Sequence, residues 1–299
     1  MQRVAPRAKR ADVHTVLEEK PDLVVVVGDV NSTVACSLVA AKLHVPVAHV
    51  EAGLRSFDRT MPEEINRIVT DSISDLLFVT EQSGLDNLRR EGVPEEKVFF
   101  TGNVMIDSLV RFREKAAATT ILEDLGVAAG AYFLMTMHRP SNVDTEAGLE
   151  EIVRLVERLA ALQRVVFPMH PRTLNNLKTH GLYARLASLS GLVLTEPTGY
   201  LEFLRLMEHA AVVVTDSGGV QEETTFLGVP CLTLRESTER PVTVTLGTNE
   251  LMPLDAAVVA ARVEAILSEG LPDRRVPPLW DGRAAERIAD AVAAHVPAL

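Results

Sequence analysis

The chain has 299 residues, 47% hydrophobic and 24% charged, with a formal net charge of −11. This is the composition of a soluble globular protein, and the negative balance speaks against nucleic acid or an anionic membrane as its main partner. No apolar run reaches transmembrane length, and the opening residues lack the apolar core of a signal peptide, so a cytoplasmic setting is expected. The two cysteines, Cys36 and Cys231, lie in apolar segments and suggest small core residues, with no disulfide framework or zinc site.

The first dozen residues are basic and Ala-rich, with a helix end expected over Asp12 to Glu19. Leu23 to Val27 reads as a buried strand ending at Gly28-Asp29, and Asn31-Ser32-Thr33 as the cap of an Ala-rich helix over Thr33 to Leu43. Val45 to Val50 is the next strand, closed by Glu51-Ala52-Gly53-Leu54-Arg55. A helix opens near Pro62, with Glu63 and Glu64 where carboxylates suit the helix dipole. Leu76 to Thr80 and Val98 to Thr101 are short strands, and a domain hinge is expected near 103–108. The second half restarts with a strand over Tyr132 to Thr136 that delivers His138-Arg139-Pro140. An amphipathic helix follows over 147–162, then a strand from Val165 to Pro168 that delivers His170. Leu192 to Leu194 reads as a strand, Tyr200 to His209 as a helix, and 284–294 as a further amphipathic helix.

The segment from Ala211 to Arg240 carries the densest signal. A β-branched run over Ala211 to Val214 breaks at Thr215-Asp216-Ser217-Gly218-Gly219, and a helix is expected from Val220, with Gln221, Glu222 and Glu223 in its first turn. Gly228 stops that helix, and Val229 to Leu234 returns as a strand followed by Arg235 and Arg240. A strand, a Gly-Gly turn and a helix start present backbone N–H groups to an anion and let a phosphate come close, although a tight turn alone needs the same residues. Alternating strands and helices in both halves predict an α/β protein of two Rossmann-like domains facing a cleft. The expected division is 1–107, with the helix at about 284–299 packed on it, and 108–283.

The stretches VVVVGDVNST, PVAHVEAGLRS, MPEEINR, GNVMID, MTMHRPSNVD, FPMHPRT and TDSGGVQEE, followed by LGVP and RESTERP, occur in that order. Together they resemble the non-hydrolysing UDP-N-acetylglucosamine 2-epimerases. The resemblance implies a glycosyltransferase-B type fold and interconversion of UDP-GlcNAc and UDP-ManNAc through elimination of UDP to 2-acetamidoglucal and re-addition. It implies catalytic carboxylates at Asp29, Glu51 and Glu63, an essential histidine at His138, and a basic active-site residue at Arg67. It places the uracil on Phe203, the diphosphate on Ser217, Gly218 and Gly219, and the ribose on Glu223, with Arg235 and Arg240 nearby and His170 among the substrate contacts. It implies a homodimer and calls for no cofactor; no G-x-G-x-x-G follows a strand and no metal cluster is apparent.

The family's opening strand, ending in Gly-Thr-Arg-Pro-Glu, has no counterpart here, so the first domain is expected to be incomplete. On that reading the 299-residue chain alone is expected to be poorly soluble or inactive as an epimerase. The alternatives are a hydrolysing epimerase that releases ManNAc and UDP, and a UDP-sugar-binding chain without turnover.

Overall fold

The computed structural model describes residues 13–270 and 274–295; the basic opening segment, Asp12 included, lies outside the described residues. The chain divides into two compact units, one formed by residues 1–107 with 278–299, the other by residues 108–277.

The first unit opens with α1 (Val13–Glu19), β1 (Val24–Val27), α2 (Asn31–Lys42), β2 (Val47–Ala52), α3 (Pro62–Ile73), β3 (Leu76–Val79), α4 (Gln82–Arg90) and β4 (Val98–Phe100). Helix α5 (Val104–Ala117) continues the chain into the second unit. The four strands form a parallel sheet in the order β1-β2-β3-β4. Strand β3 is buried throughout, as its LLFV sequence requires of a strand covered on both faces. Strand β1 departs from the buried reading: Val25 and Val27 are about half exposed, because β1 is an edge strand among the described residues. Helix α2 starts at Asn31 with Val30 at the N-cap and no side-chain cap bond, so Asn31 and Ser32 are helical and do not cap it.

The second unit continues with α6 (Ile121–Asp124), β5 (Tyr132–Thr136), α7 (Pro140–Val143), α8 (Glu146–Leu162), β6 (Arg164–Pro168), α9 (Pro171–Thr179), α10 (Tyr183–Ala187), β7 (Leu192–Thr195) and α11 (Tyr200–Glu208). It closes with β8 (Val212–Thr215), α12 (Gly218–Leu227), β9 (Cys231–Leu234), α13 (Val242–Thr245), β10 (Asn249–Met252) and α14 (Ala256–Glu269). All six strands are parallel, in the order β10-β9-β8-β5-β6-β7. The period of two along β5 decides its packing. Phe133 and Met135 join the core under α8 and α14, while Tyr132 and Leu134 join the core under α11 and α12.

Strand β10 and helix α14 are additions to the elements expected from sequence. The NELM segment of β10 lacks β-branched residues, and its Asn249 is buried by polar pairing instead. Asn249 Oδ1 accepts from Thr233 Oγ1 at 2.6 Å, and its Nδ2 donates to Gln221 Oε1 at 3.0 Å. Helix α14 does carry a readable start, since Asp255 accepts from the N–H groups of Ala257 and Val258.

The chain then returns to the first unit. Trp280 is buried and donates its Nε1–H to the Thr80 carbonyl at 2.9 Å. Helix α15 (Ala284–His295) lays Ile288, Ala291 and Val292 on the cluster of Ala48, Val50, Leu76 and Phe78. No helix among the described residues is long and apolar enough to cross a membrane.

Candidate active site

In the first unit the expected residues gather at the C-terminal ends of β1 and β2 and on the first turns of α3. Gly28, with φ +69°, turns the chain out of β1, and its N–H donates to the Val50 carbonyl at 3.0 Å. The Asp29 carboxylate pairs with the buried Arg67 guanidinium, so two residues read separately from sequence form one ion pair. Asn66 supports that pair by donating Nδ2–H to the Asp29 carbonyl at 2.8 Å. Glu51 has a φ of +74°, in the left-handed region, and the pairing of β2 with β3 shifts register between Val50 and Ala52. A bulge with a non-glycine residue at positive φ re-aims a side chain at a cost of order 1 kcal/mol, and such strain collects at functional sites.

The two acids that follow Pro62 have different environments. Glu63 stands exposed on the first turn of α3. Glu64 is buried, and its carboxylate accepts from the N–H and Oγ of Ser56 and from the N–H of Phe57, so it holds the preceding loop.

In the second unit the site is built where β5, β6 and β8 end. Thr136 and Thr215 are register partners, so the residues after them lie side by side. Asp216, fully buried, accepts from the His138 N–H at 3.0 Å, the Arg139 N–H at 2.9 Å and Asn142 Nδ2 at 3.2 Å, and faces His138 Nδ1 at 3.0 Å. Burial pushes the Asp216 carboxyl up, but the bonds from His138 and Arg139 outweigh it, and the group sits below the usual carboxylate range. A carboxylate on Nδ1 fixes that nitrogen as the donor, which leaves Nε2 of the partly exposed His138 ring for other work. The His170 ring lies 5.5 Å from that of His138 between centroids. Asp216 is a residue the sequence reading passed over: it stood inside the conspicuous Ser-Gly-Gly block and read as turn chemistry.

Helix α12 begins at Gly218, earlier than expected, so Gln221, Glu222 and Glu223 fall beyond the first turn and are buried. They therefore do not serve the dipole. Ser217 at the N-cap makes no side-chain cap bond, which leaves the first-turn amides of Gly218 and Gly219 uncapped by a side chain. Beside them runs a buried chain of ion pairs: Arg235 with Glu239 at 3.0 Å, Glu239 with Arg240, and Arg240 Nε with Glu222 at 2.9 Å. Nη1 of Arg235 is buried with no hydrogen-bond partner among the described residues. Glu223 accepts from the Tyr200 hydroxyl at 2.8 Å; burial pushes its carboxyl up, and that hydrogen bond offsets part of the rise. Tyr200 is a second partner that sequence reading missed. Phe203 is half-buried and packs against the core beneath α11.

Comparison with known proteins places the chain in a family. The family model described as "UDP-N-acetylglucosamine 2-epimerase" matches residues 11–293. A Methanocaldococcus jannaschii protein named UDP-N-acetylglucosamine 2-epimerase is 44% identical over 277 residues, which are 91% of this chain and 75% of that one. A Pseudomonas aeruginosa protein named UDP-2,3-diacetamido-2,3-dideoxy-D-glucuronate 2-epimerase is 40% identical over 283 residues, covering 93% and 76%. The crystal structure of the M. jannaschii UDP-GlcNAc 2-epimerase in complex with UDP-GlcNAc and UDP aligns with a TM-score of 0.85 at 41% identity, over 97% of this chain and 80% of that one. The Neisseria meningitidis UDP-GlcNAc 2-epimerase bound to UDP-GlcNAc aligns with a TM-score of 0.87 at 30% identity, over 98% and 82%. With its parallel sheets of the glycosyltransferase-B class and a match along nearly all its length, the chain belongs to the UDP-N-acetylglucosamine 2-epimerase family of isomerases.

Proposed function

We propose that this chain interconverts UDP-GlcNAc and UDP-ManNAc. A carboxylate takes the C2 proton, the bond from C1 to the UDP oxygen breaks, and a C1=C2 double bond forms in 2-acetamidoglucal. UDP then returns to C1 while a proton is delivered to the opposite face of C2. The C2 proton is weakly acidic, which calls for a positioned, partly desolvated base and a second acid on the other face. Asp29, Glu51 and Glu63 are assigned these roles, with His138 as an essential catalytic histidine and Arg67 as a basic residue of the active site. Ser217, Gly218, Gly219, Arg235 and Arg240 take the diphosphate, Glu223 the ribose, Phe203 the uracil, and His170 a further substrate contact.

The observation that carries the reading is the start of α12, where the N-cap residue makes no side-chain cap bond and the Arg240 guanidinium lies so near Gly218 that a Cβ there would stand 3.0 Å from its Nη1. This suits an anion that arrives with the ligand. In deuterated water, product UDP-ManNAc is expected to carry deuterium at C2; retention of the original hydrogen overturns the elimination. Free ManNAc with UDP as the end products points instead to hydrolysis, and UDP binding without turnover to a binding role. The 40% identity to the P. aeruginosa protein supports a second substrate reading, a UDP-diacetamido-glucuronate, so both sugars belong in the same assay. A homodimer in the cytoplasm completes the proposal, and sedimentation checks the first part.

A further inference from the structure

Beneath the ends of β1 and β2 lies a buried cluster that the proposed chemistry does not use. His49, in β2, is fully buried. Its Nε2 lies 3.0 Å from the Gly28 carbonyl oxygen, and its Nδ1 lies 2.6 Å from Asp71 Oδ1. A carbonyl oxygen only accepts, so Nε2 carries a proton. The other oxygen of Asp71 already takes the Gly53 N–H at 3.1 Å and faces Arg55 Nη2 at 2.7 Å. Asp71 thus joins His49, the Gly53 backbone and Arg55 at one buried point. Arg55 is itself held by both oxygens of Glu91, at 2.8 and 2.7 Å. The polar groups of this buried cluster thus partner one another, as groups removed from water must.

The two nitrogens hold different things. Through Nδ1 the ring is tied to α3 by Asp71. Through Nε2 it grips Gly28, whose N–H is already fixed to Val50, so both polar backbone groups of that glycine are bound to β2. The next residue is Asp29. We propose that His49 is a positioning residue of the epimerisation: its ring holds the Gly28 carbonyl through Nε2 and thereby sets where Asp29 and its Arg67 partner stand, without touching the substrate. This rests on the role given to Asp29 above.

The side chains that replace each nitrogen separately provide the test. In His49→Gln the amide nitrogen overlies Nε2 and keeps the bond to Gly28; in His49→Asn it overlies Nδ1 and loses that bond. Displacing a reacting group by about 1 Å costs about 100-fold in rate, so His49→Asn is expected to lower kcat for UDP-GlcNAc by about 100-fold. KM and UDP affinity should stay within about threefold, and His49→Gln should recover at least about tenfold of the lost kcat. Equal losses in the two variants, or a loss confined to KM, overturn the proposal. Nitrogen-15 spectra of histidine-labelled wild-type protein should show Nε2 of His49 carrying a proton, and a bare Nε2 refutes the proposal without any variant. If the wild-type chain does not turn over UDP-GlcNAc, the reading of function fails instead. The Asp29 amide resonance then decides positioning alone: it should shift in His49→Asn and hold in His49→Gln, and the reverse refutes it.

Discussion

A Cβ at Gly218 would stand 3.0 Å from Arg240 Nη1 and 3.1 Å from Glu239 Oε1, tighter than ordinary packing allows. Gly218→Val therefore displaces the ion-pair chain and also covers the first-turn amides. UDP affinity is expected to fall at least about tenfold, or about 1.4 kcal/mol, by calorimetry; unchanged affinity in a folded variant removes the diphosphate from this turn. At Asp216 the expectation concerns stability and pH. Its folded carboxyl titrates below its unfolded value of about 3.9. The contribution is thus complete above about pH 4 and is lost as pH falls through the folded value. Asp216→Asn turns an amide N–H toward backbone donors and is expected to cost about 1–3 kcal/mol near neutrality. The gap to wild type in urea unfolding should narrow below about pH 4, and a constant gap refutes the assignment. The role of Asp216 was not legible locally, because His138 and Asp216 are separated by 78 residues.

At the scale of elements, the end of β2 shows how a strand is bent to a purpose. Glu51 at φ +74° is strained, and glycine adopts that angle without penalty. Glu51→Gly trades relief of about 1–2 kcal/mol against about 0.5–1 kcal/mol of added chain entropy in the unfolded state. Thermal unfolding should shift by no more than a few degrees while epimerisation falls to background. A large drop in Tm with activity retained would mean that Glu51 serves the fold and not the reaction. The sequence HVEAG reads as a strand running into a glycine, and nothing in it announces a bulge at Glu51. The early start of α12 has a similar origin. Gly218 and Gly219 signal a turn by their freedom, and only the packing of Gln221, Glu222 and Glu223 into the interior draws the helix back to Gly218.

At the scale of the whole molecule, the first unit is closed by a segment far along the chain. Trp280, the one tryptophan, is buried with its indole N–H on the Thr80 carbonyl. Trp280→Ala is expected to destabilise the first unit by about 3–5 kcal/mol, read by circular dichroism in urea. A loss below about 1 kcal/mol would show that α15 holds its place without the indole. In wild-type protein the Trp280 fluorescence should report the unfolding of that unit specifically.

The order of strands and helices, the strand-to-helix junction at Gly218-Gly219 and the family could be read from the sequence, because each rests on local patterns: β-branched runs, glycines that break them and blocks of adjacent residues. The six-stranded extent of the second sheet could not, since β10 is held by Asn249 bonds to Thr233 and Gln221. Nor could the exposure of β1, which depends on its place at the sheet edge. The site divides in the same way. Asp29 and Arg67 were visible as separate charges, and only the fold brings them together across 38 residues. The strain at Glu51 and the grip of Asp216 on the His138 loop follow from the same cause. A side chain's partners are set by strand register and helix packing, which place distant residues in contact, whereas sequence patterns record only what neighbours along the chain can do.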